Sequence, residues 1–282
     1  MTTILKGTGE PLVLDPQCPS RMIGERINPS GRKKLRQALL DQDWDYLVQE
    51  ACDQVEAGAD IIDVNVGGKG IDEETVLPHA VLKVAAAVDV PLSIDTRHPG
   101  ALEAALAVCS GRPIVNSIGG ETKILARNLP IVAEHGLPVI ILCMGQEGIP
   151  PTPEERLRIA EQVTEKAVRA GVNEEDLIFD PLVMTVGADD QAAHVALETI
   201  RLLREAFPEN SITGGASNVS YGMPSRSTLN AHFLAVACMM GMNVPITDPK
   251  DQALRLALLA ADAFLGRDRK MRCFMRHYRA SR

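Results

Sequence analysis

Aromatic residues are scarce in this sequence. The chain of 282 residues contains one Trp, three Tyr and five Phe, which together make up 3% of it. Proteins that bind single-stranded nucleic acid stack its bases on aromatic rings, so few such platforms are available here. Apolar residues nevertheless reach 45%. The core must therefore be built from aliphatic side chains, as in layered α/β proteins.

Positive charge and long apolar runs are also lacking. Lys and Arg number 29 against 37 Asp and Glu, which gives a net charge of −8 and an isoelectric point near 5.3. This balance argues against a nucleic-acid partner or an anionic membrane surface. No run approaches the roughly 20 apolar residues of a membrane span. The start, MTTILKGTGEPLVLDPQ, does not have the basic and apolar regions of a signal peptide. We expect a cytoplasmic protein.

The cysteines form no recognisable metal or disulfide pattern. They stand far apart, with no C-x-x-C pair and no histidine at metal-binding spacing. We therefore expect reduced thiols and no metal site. The six residues are Cys18, Cys52, Cys109, Cys143, Cys238 and Cys273.

Short apolar runs alternate eight times with helix-like stretches, as in a parallel sheet covered by helices. At this length the pattern predicts an α/β fold with a single (β/α)8 TIM barrel over residues 21–282, preceded by an N-terminal arm, residues 1–20. A doubly wound open sheet is the alternative, but "GERINPSG" after the first run lacks the expected G-x-G-x-x-G turn. The runs are RMIGERIN (21–28), DIIDVNVG (60–67), PLSIDTR (91–97), PIVNSIG (113–119), PVIILCMG (138–145), LIFDPLV (177–183), SITGGASNVS (211–220) and NVPITDP (243–249).

Helical periodicity fills the segments between these runs. His98 precedes Pro99 and is interpreted as part of a helix-starting turn. The basic end, RDRKMRCFMRHYRASR, is interpreted as a solvated last helix or as a docking surface for an acidic partner. The predicted helices include Lys33–Ala57, Glu73–Val88, Pro99–Cys109, Pro153–Ala170, Ala188–Ala206 and Thr228–Met240.

Polar residues close nearly every predicted strand. The active site of a TIM barrel lies at the carboxyl ends of its strands. Any one of these residues could cap a helix or close a turn, but seven of eight strands ending this way favours a shared site. Asp and Asn suit the N–H edge of a flat heterocycle, and a metal held by Asp95 and Asp180 would have little ligand charge. The strand-closing residues are Glu25, Arg26, Asn28, Asp63, Asn65, Asp95, Asn116, Ser117, Asp180, Ser217, Asn218 and Asp248.

Six ordered motifs carry a family resemblance: GERIN, DIIDVNVG, PLSIDT, IVNSIGGE, IFDPL and ASNVSYG. With them the chain resembles the pterin-binding barrel family from about residue 21 to residue 270. Within that family it is most similar to the methyltetrahydrofolate:corrinoid protein methyltransferases and to the folate module of cobalamin-dependent methionine synthase. The dihydropteroate synthase branch normally opens with Asn-x-Thr-Pro-Asp-Ser-Phe-Ser, where this chain has GERINPSGRKK.

The resemblance implies roles for particular residues. Asp95, Asn116 and Asp180 would hold the pterin ring. Asp63 and Asn65 would complete a polar floor. Asn218, with Ser217 beside it, would lie near N5 of the folate, and Arg226 would flank the mouth of the barrel. Our own hypothesis is that Asn218 donates a hydrogen bond to N5.

The resemblance also implies an activity and partners. The N5-methyl group would move between 5-methyltetrahydrofolate and the Co(I) form of a corrinoid such as cobalamin. No Asp-x-His-x-x-Gly corrinoid motif is present, so the corrinoid should arrive on a separate protein. A homodimer is also expected from the resemblance. Cys143 is expected to lie in the core. The basic C-terminal end could attract the glutamate tail of the folate. A dihydropteroate synthase-like transferase and a non-catalytic folate-binding barrel remain as alternatives.

Overall fold

A computed structural model describes residues 2–280 of the chain. Eight parallel strands close into a barrel in the order β10-β3-β4-β5-β6-β7-β8-β9, and an antiparallel hairpin of β1 and β2 precedes it. The predicted (β/α)8 barrel is therefore confirmed. The strands are β1 Thr3–Leu5, β2 Leu12–Leu14, β3 Ile23–Ile27, β4 Ile61–Asn65, β5 Leu92–Asp95, β6 Ile114–Ile118, β7 Val139–Leu142, β8 Leu177–Asp180, β9 Ser211–Gly215 and β10 Val244–Thr247.

Helices cover the outside of the barrel. The long helix predicted over 33–57 is two helices, because Gln42 adopts a left-handed conformation with φ of 54° and the Asp43 side chain then caps the next helix by accepting from the Tyr46 N–H. The helices are α1 Lys33–Asp41, α2 Trp44–Glu56, α3 Glu73–Ala87, α4 Pro99–Val108, α5 Thr122–His135, α6 Pro153–Arg169, α7 Ala192–Ala206, α8 Arg226–Met240, α9 Gln252–Phe264 and α10 Arg272–Ala280, with single 3-10 turns at Glu174–Asp176, Ala216–Ser220 and Arg269–Met271.

A layer of aliphatic side chains fills the amino-terminal end of the barrel. Because side chains alternate across a strand, the residue two positions after each member of this layer also faces the interior, one layer nearer the carboxyl end of the strand. In β3, β4, β6 and β8 this second inward-facing residue is polar. It is Glu25, Asp63, Asn116 and Asp180, respectively. The aliphatic layer consists of Ile23, Ile61, Ile114, Ile140, Ile178 and Val244.

The hairpin of β1 and β2 covers this aliphatic layer. Leu5 and Leu14 are fully buried against it. The Arg112 side chain donates to the carbonyl of Ile4 at 2.5 Å, and Thr3 Oγ1 donates to the carbonyl of Glu175 at 2.6 Å. The N-terminal arm thus closes the end of the barrel opposite the carboxyl ends of the strands.

The basic C-terminal helix lies at this same closed end. Asp262, near the end of α9, accepts hydrogen bonds from the Ser20 N–H at 2.8 Å and the Ser20 hydroxyl at 2.7 Å, just before β3 begins. Asp268 caps α10 by accepting from the N–H groups of Cys273 and Phe274. Of the basic end, residues 281–282 lie outside the described residues. The described part, 267–280, starts at this closed end, and its His277 also lines a groove with Pro249 and Lys250, which follow β10.

Candidate active site

The carboxyl ends of the strands bring polar side chains together. The strand register sets Asp63 opposite Ser93, Asn65 opposite Asp95, and Asp95 opposite Asn116. Two of the strands carry a register irregularity at this level, β3 between Gly24 and Ile27 and β6 between Asn116 and Ile118. Such bulges re-aim side chains and are common beside active sites.

Asp63 is the centre of the polar floor. Its Oδ1 accepts hydrogen bonds from Ser93 Oγ at 2.7 Å and from Asn116 Nδ2 at 3.0 Å. The carboxyl is only 3% exposed. Burial raises the pKa of Asp63 to about 6, against the lowering effect of the two donors, and the charge of Glu25 raises it further. Asn116 is consequently held in place by Asp63.

Asp95 lies next to this group. Its Oδ2 accepts from Asn65 Nδ2 at 2.8 Å, and the Asn65 side-chain oxygen accepts from the Gly67 N–H, which orients the amide. Burial first, and then the charge of Asp63, raise the pKa of Asp95 well above its ordinary range. The two carboxyls are near enough for the negative charge of Asp63 to disfavour ionisation of Asp95.

Asp180 stands across β7 from Asn116. It is 8% exposed, and its Oδ1 accepts from the Leu182 N–H at 2.7 Å. Leu182 itself has a left-handed backbone with φ of 65°. Burial raises the pKa of Asp180 to about 6, while the Leu182 N–H and the positive charge of Arg156 oppose the rise. In the ligand-free protein this carboxyl therefore has weak local compensation.

Arg156 supports the loop behind Asp180. Its guanidinium is buried and donates to the carbonyls of Pro181 at 2.8 Å, Leu182 at 2.9 Å and Pro150 at 2.9 Å. These three bonds join the loops that follow β7 and β8. Nothing in the sequence marks Arg156 as a buried residue, because an arginine in the amphipathic helix α6 looks like a surface residue.

The turn after β9 carries Ser217 and Asn218. Asn218 is exposed, and within residues 2–280 its side chain makes no hydrogen bond. A Cβ at Gly215 would lie 2.6 Å from Asn218 Nδ2, so a side chain at position 215 would displace the amide from this position. Arg226 is also exposed; it donates to the Ser217 carbonyl at 2.9 Å and to Ser220 Oγ at 3.1 Å. Arg226 thus holds this turn in place.

Glu25 projects toward the same turn from β3. Its Oε1 accepts from Ser217 Oγ at 2.7 Å. Burial raises the pKa of Glu25 to about 7, and the charge of Asp248 adds to the rise, whereas Ser217, Arg226 and Arg32 lower it. The sequence showed Glu25 as a strand-closing residue but gave it no role. Its position two residues after the buried Ile23 was the available signal that it faces inward.

Cys143 and His98 take structural positions. Cys143 is fully buried, and burial raises the pKa of its thiol, which makes it a poor nucleophile. His98 caps α4, where Nδ1 faces the Ala101 N–H at 3.4 Å. In the described part of the chain, no three His, Cys, Asp or Glu residues are arranged to hold a metal ion.

This geometry defines a ligand by its hydrogen-bonding groups. Asp180 is a buried acceptor and Asp95 a partly buried one on another side of the mouth, and Asn116 and Asn218 can both donate and accept. A planar ring with several N–H groups on its edge would satisfy these acceptors with hydrogen bonds, without the need for a cation. The side chains lie on strand ends and short turns, which are rigid supports for such recognition.

Comparison with a protein-family model identifies the chain. The model described as pterin binding enzyme matches residues 24–248, which is most of the barrel. The chain belongs to the pterin-binding enzyme family. The family predicted from the six motifs is confirmed.

Curated relatives narrow the similarity within the family. The chain is 30% identical over 260 residues to the methylcorrinoid:tetrahydrofolate methyltransferase of Eubacterium limosum, covering 92% of this chain and 96% of that protein. It is 29% identical over 225 residues to the methionine synthase of Mycobacterium tuberculosis, covering 76% of this chain but only 19% of that longer protein.

Solved structures share the fold of this pterin-binding chain. A dihydropteroate synthase from Yersinia pestis with a pterine-sulfa conjugate superposes with a TM-score of 0.70 at 20% identity, over 94% of this chain and 99% of that one. A dihydropteroate synthase from Xanthomonas albilineans gives a TM-score of 0.70 at 19% identity, over 94% and 98% of the two chains. At this level of identity the likeness concerns the fold.

Proposed function

We propose that the protein is a methyltransferase that moves the N5-methyl group between methyltetrahydrofolate and the Co(I) corrinoid of a separate corrinoid protein. The observation that carries this proposal is similarity along nearly the whole chain to a methylcorrinoid:tetrahydrofolate methyltransferase, together with a barrel mouth lined by buried carboxyls and amides. The folate is a substrate, and the corrinoid is a second substrate carried by the partner.

The floor residues bind the pterin in this proposal. Asp95 and Asp180 accept N–H groups of the ring and Asn116 bonds the adjacent edge, while Asp63 and Asn65 hold Asn116 and Asp95 in position. The support is geometric: Asp63 bonds Asn116 at 3.0 Å, and Asn65 bonds Asp95 at 2.8 Å.

The turn after β9 faces the reacting atom. Asn218 donates a hydrogen bond to N5, Ser217 lies beside it, and Arg226 holds the turn at the edge of the mouth. Asn218 is suited to this because its amide is exposed and free of hydrogen bonds within residues 2–280. A donor that acts on charge in the transition state affects the rate more than it affects substrate binding.

Replacing Asn218 with Ala tests this assignment. We expect the rate of methyl transfer from methyltetrahydrofolate to free cob(I)alamin, followed anaerobically by the visible spectrum, to fall roughly 100-fold. The dissociation constant for methyltetrahydrofolate, measured by calorimetry, should change only a few-fold. Asn173→Ala, at the closed end of the barrel, is the matched control. Equal losses of affinity and rate in Asn218→Ala would refute the role.

A dihydropteroate synthase-like activity is the second candidate, favoured only by the fold shared with those enzymes. It predicts turnover of a pterin pyrophosphate with p-aminobenzoate. A non-catalytic barrel would bind methyltetrahydrofolate without transferring its methyl group to any corrinoid. The same anaerobic assay distinguishes both from the methyltransferase.

We further propose that the protein is a homodimer. Its outer surface exposes an apolar stripe on the neighbouring helices α8 and α9, and burial of such a stripe against a second copy would be favourable. The stripe consists of Leu229, Val236, Met239, Leu256 and Phe264, the last 82% exposed.

The proposed domain division assigns residues 21–282 to the barrel and residues 1–20 to the arm that covers its closed end. The proposed location is the cytoplasm, since all six cysteines are free thiols and two are buried as such. Within residues 2–280 no helix has the length and apolar character needed to cross a membrane.

A further inference from the structure

The proposed reaction needs a proton at N5, and Asn218 cannot supply one. When the methyl group leaves methyltetrahydrofolate, the electron pair of the broken C–N bond stays on nitrogen, and an unprotonated amide anion would be a very poor leaving group. A positioned acid contributes about 100- to 10,000-fold to such a step. The barrel mouth contains a group that fits this need.

Glu25 lies within one hydrogen bond of the turn that carries Asn218. Its Oε1 is 2.7 Å from Ser217 Oγ, and Ser217 directly precedes Asn218 in the 3-10 turn Ala216–Ser220. Thr247 Oγ1 lies 3.4 Å from the same serine hydroxyl. The strand that carries Glu25, β3, is paired with β10, which in turn is paired with β9. The rigid barrel thus fixes the carboxyl beside the turn that is proposed to face N5.

The hydrogen-bond partner of Glu25 is compatible with both protonation states. A serine hydroxyl can donate to a carboxylate and can accept from a carboxylic acid. Asp95 accepts from Asn65 Nδ2 and Asp180 accepts from the Leu182 N–H, and both of these groups only donate. Asp63 accepts from the Ser93 hydroxyl at 2.7 Å but also from Asn116 Nδ2 at 3.0 Å, which only donates. Among these four carboxyls in the described residues, Glu25 is the one whose hydrogen-bond partner is a hydroxyl group alone, so it can lose and regain a proton and keep that bond.

The charges around Glu25 nearly balance. Asp248, from the end of β10, and Asp63, on β4, face it with negative charge. Arg226, at the start of α8, and Arg32, before α1, face it with positive charge. Because these charges nearly cancel, burial has the largest effect and raises the pKa of Glu25 to about 7. The protonated and ionised forms of the carboxyl are then both populated at neutral pH.

We propose that Glu25 is the acid–base residue that exchanges a proton with N5 of the folate during methyl transfer. This rests on the function proposed above. In the direction from folate, the N5–carbon bond breaks, the methyl carbon bonds to Co(I) through the cobalt electron pair, cobalt becomes Co(III), and the Glu25 proton passes to N5. Solvent then reprotonates the carboxylate. In the opposite direction N5 attacks the methyl carbon, the cobalt pair is released as Co(I), and Glu25 takes the N5 proton.

Glu25→Gln tests the proposal while it keeps a group able to bond Ser217. We expect the rate of transfer from methyltetrahydrofolate to cob(I)alamin to fall about 100- to 10,000-fold near neutral pH. The pH dependence of the rate near 7 should disappear, and the affinity for methyltetrahydrofolate should change only a few-fold. Infrared difference spectra of the protein titrated without folate should lose one carboxyl band that titrates near neutral pH.

Two further variants complete the experiment. Glu25→Asp keeps an acid and should restore part of the rate together with its pH dependence, which also keeps the test valid if the glutamine variant folds poorly. Glu74→Gln removes an exposed carboxyl from the start of α3 and should behave as the wild type.

The outcomes separate this inference from the proposed function. A wild-type rate and pH profile in Glu25→Gln would overturn the role of Glu25 while the methyltransferase assignment stands. A loss of folate affinity as large as the loss of rate would also overturn it, because Glu25 would then be a binding residue. Absence of methyl transfer by the wild-type protein, with free cob(I)alamin and with corrinoid proteins, would overturn the proposed function and this inference with it.

Discussion

Asp180→Asn should make the ligand-free protein more stable at neutral and alkaline pH. Asp180 is buried, and its carboxylate is only partly compensated by one backbone N–H and by the charge of Arg156. Asparagine keeps the shape and keeps an oxygen that accepts the 2.7 Å bond from the Leu182 N–H. It removes the cost of a buried negative charge.

The size of the effect follows from the pKa. The pKa of Asp180 rises from 3.8 to about 6 on folding. At about 1.4 kcal/mol per pKa unit, ionised Asp180 reduces the free energy of unfolding by about 3 kcal/mol. The folded state binds this proton more tightly than the unfolded state does. The stabilisation by the proton is therefore complete below pH 3.8 and is lost as the pH rises through about 6.

Urea unfolding of the ligand-free protein, followed by far-ultraviolet circular dichroism across this pH range, measures the effect. The advantage of Asp180→Asn should approach about 3 kcal/mol near pH 8 and vanish near pH 4. Asp176→Asn is the matched control: this buried carboxyl bonds Arg112 at 2.7 Å, and its neutralisation should destabilise the protein. The reasoning fails if Asp180→Asn is less stable than the wild type near pH 8, or if its advantage does not change with pH.

Two other variants test the supports of the site and the surface. Arg156→Met should lower the free energy of unfolding by about 3 kcal/mol and weaken methyltetrahydrofolate binding, because three carbonyls lose their donor. Urea unfolding measures the first effect and calorimetry the second, with Arg158→Met, at an exposed position, as the control. An unchanged affinity for methyltetrahydrofolate in Arg156→Met would contradict the prediction. Leu256→Glu should convert a dimer to a monomer in analytical ultracentrifugation, whereas Leu82→Glu on α3 should not. A wild-type protein that sediments as a monomer would refute the dimer.

The strand pattern was predictable from the sequence because it depends on local chemistry. Aliphatic runs that end in Asp or Asn specify strands, and the two-residue period specifies which side chains face inward. All eight predicted runs contain a barrel strand. The helix boundaries were less accurate, since the break at Gln42 depends on the competing cap at Asp43.

The contacts across the barrel could not be predicted in the same way. Periodicity says that Asp63 and Asn116 both face inward, but it does not say that their side chains meet. Nor does it show that Glu25 reaches Ser217, which is 192 residues away in the chain. Such pairs depend on strand register and on bulges, which a single sequence does not encode locally.

The carboxyls of the barrel mouth therefore carry a free-energy cost when they are ionised, and a ligand with N–H donors would reduce that cost. Glu25, Asp63, Asp95 and Asp180 all have pKa values raised by burial, so each is held in the fold at a cost when ionised. In the proposed complex, the N–H edge of the pterin ring would compensate Asp95 and Asp180, whereas Glu25 would keep Ser217 as its partner. Binding should then favour the ionised forms of the first two, whereas Glu25 remains free to titrate. In the proposed reaction, this difference would separate the residues that bind the folate from the residue that exchanges its proton.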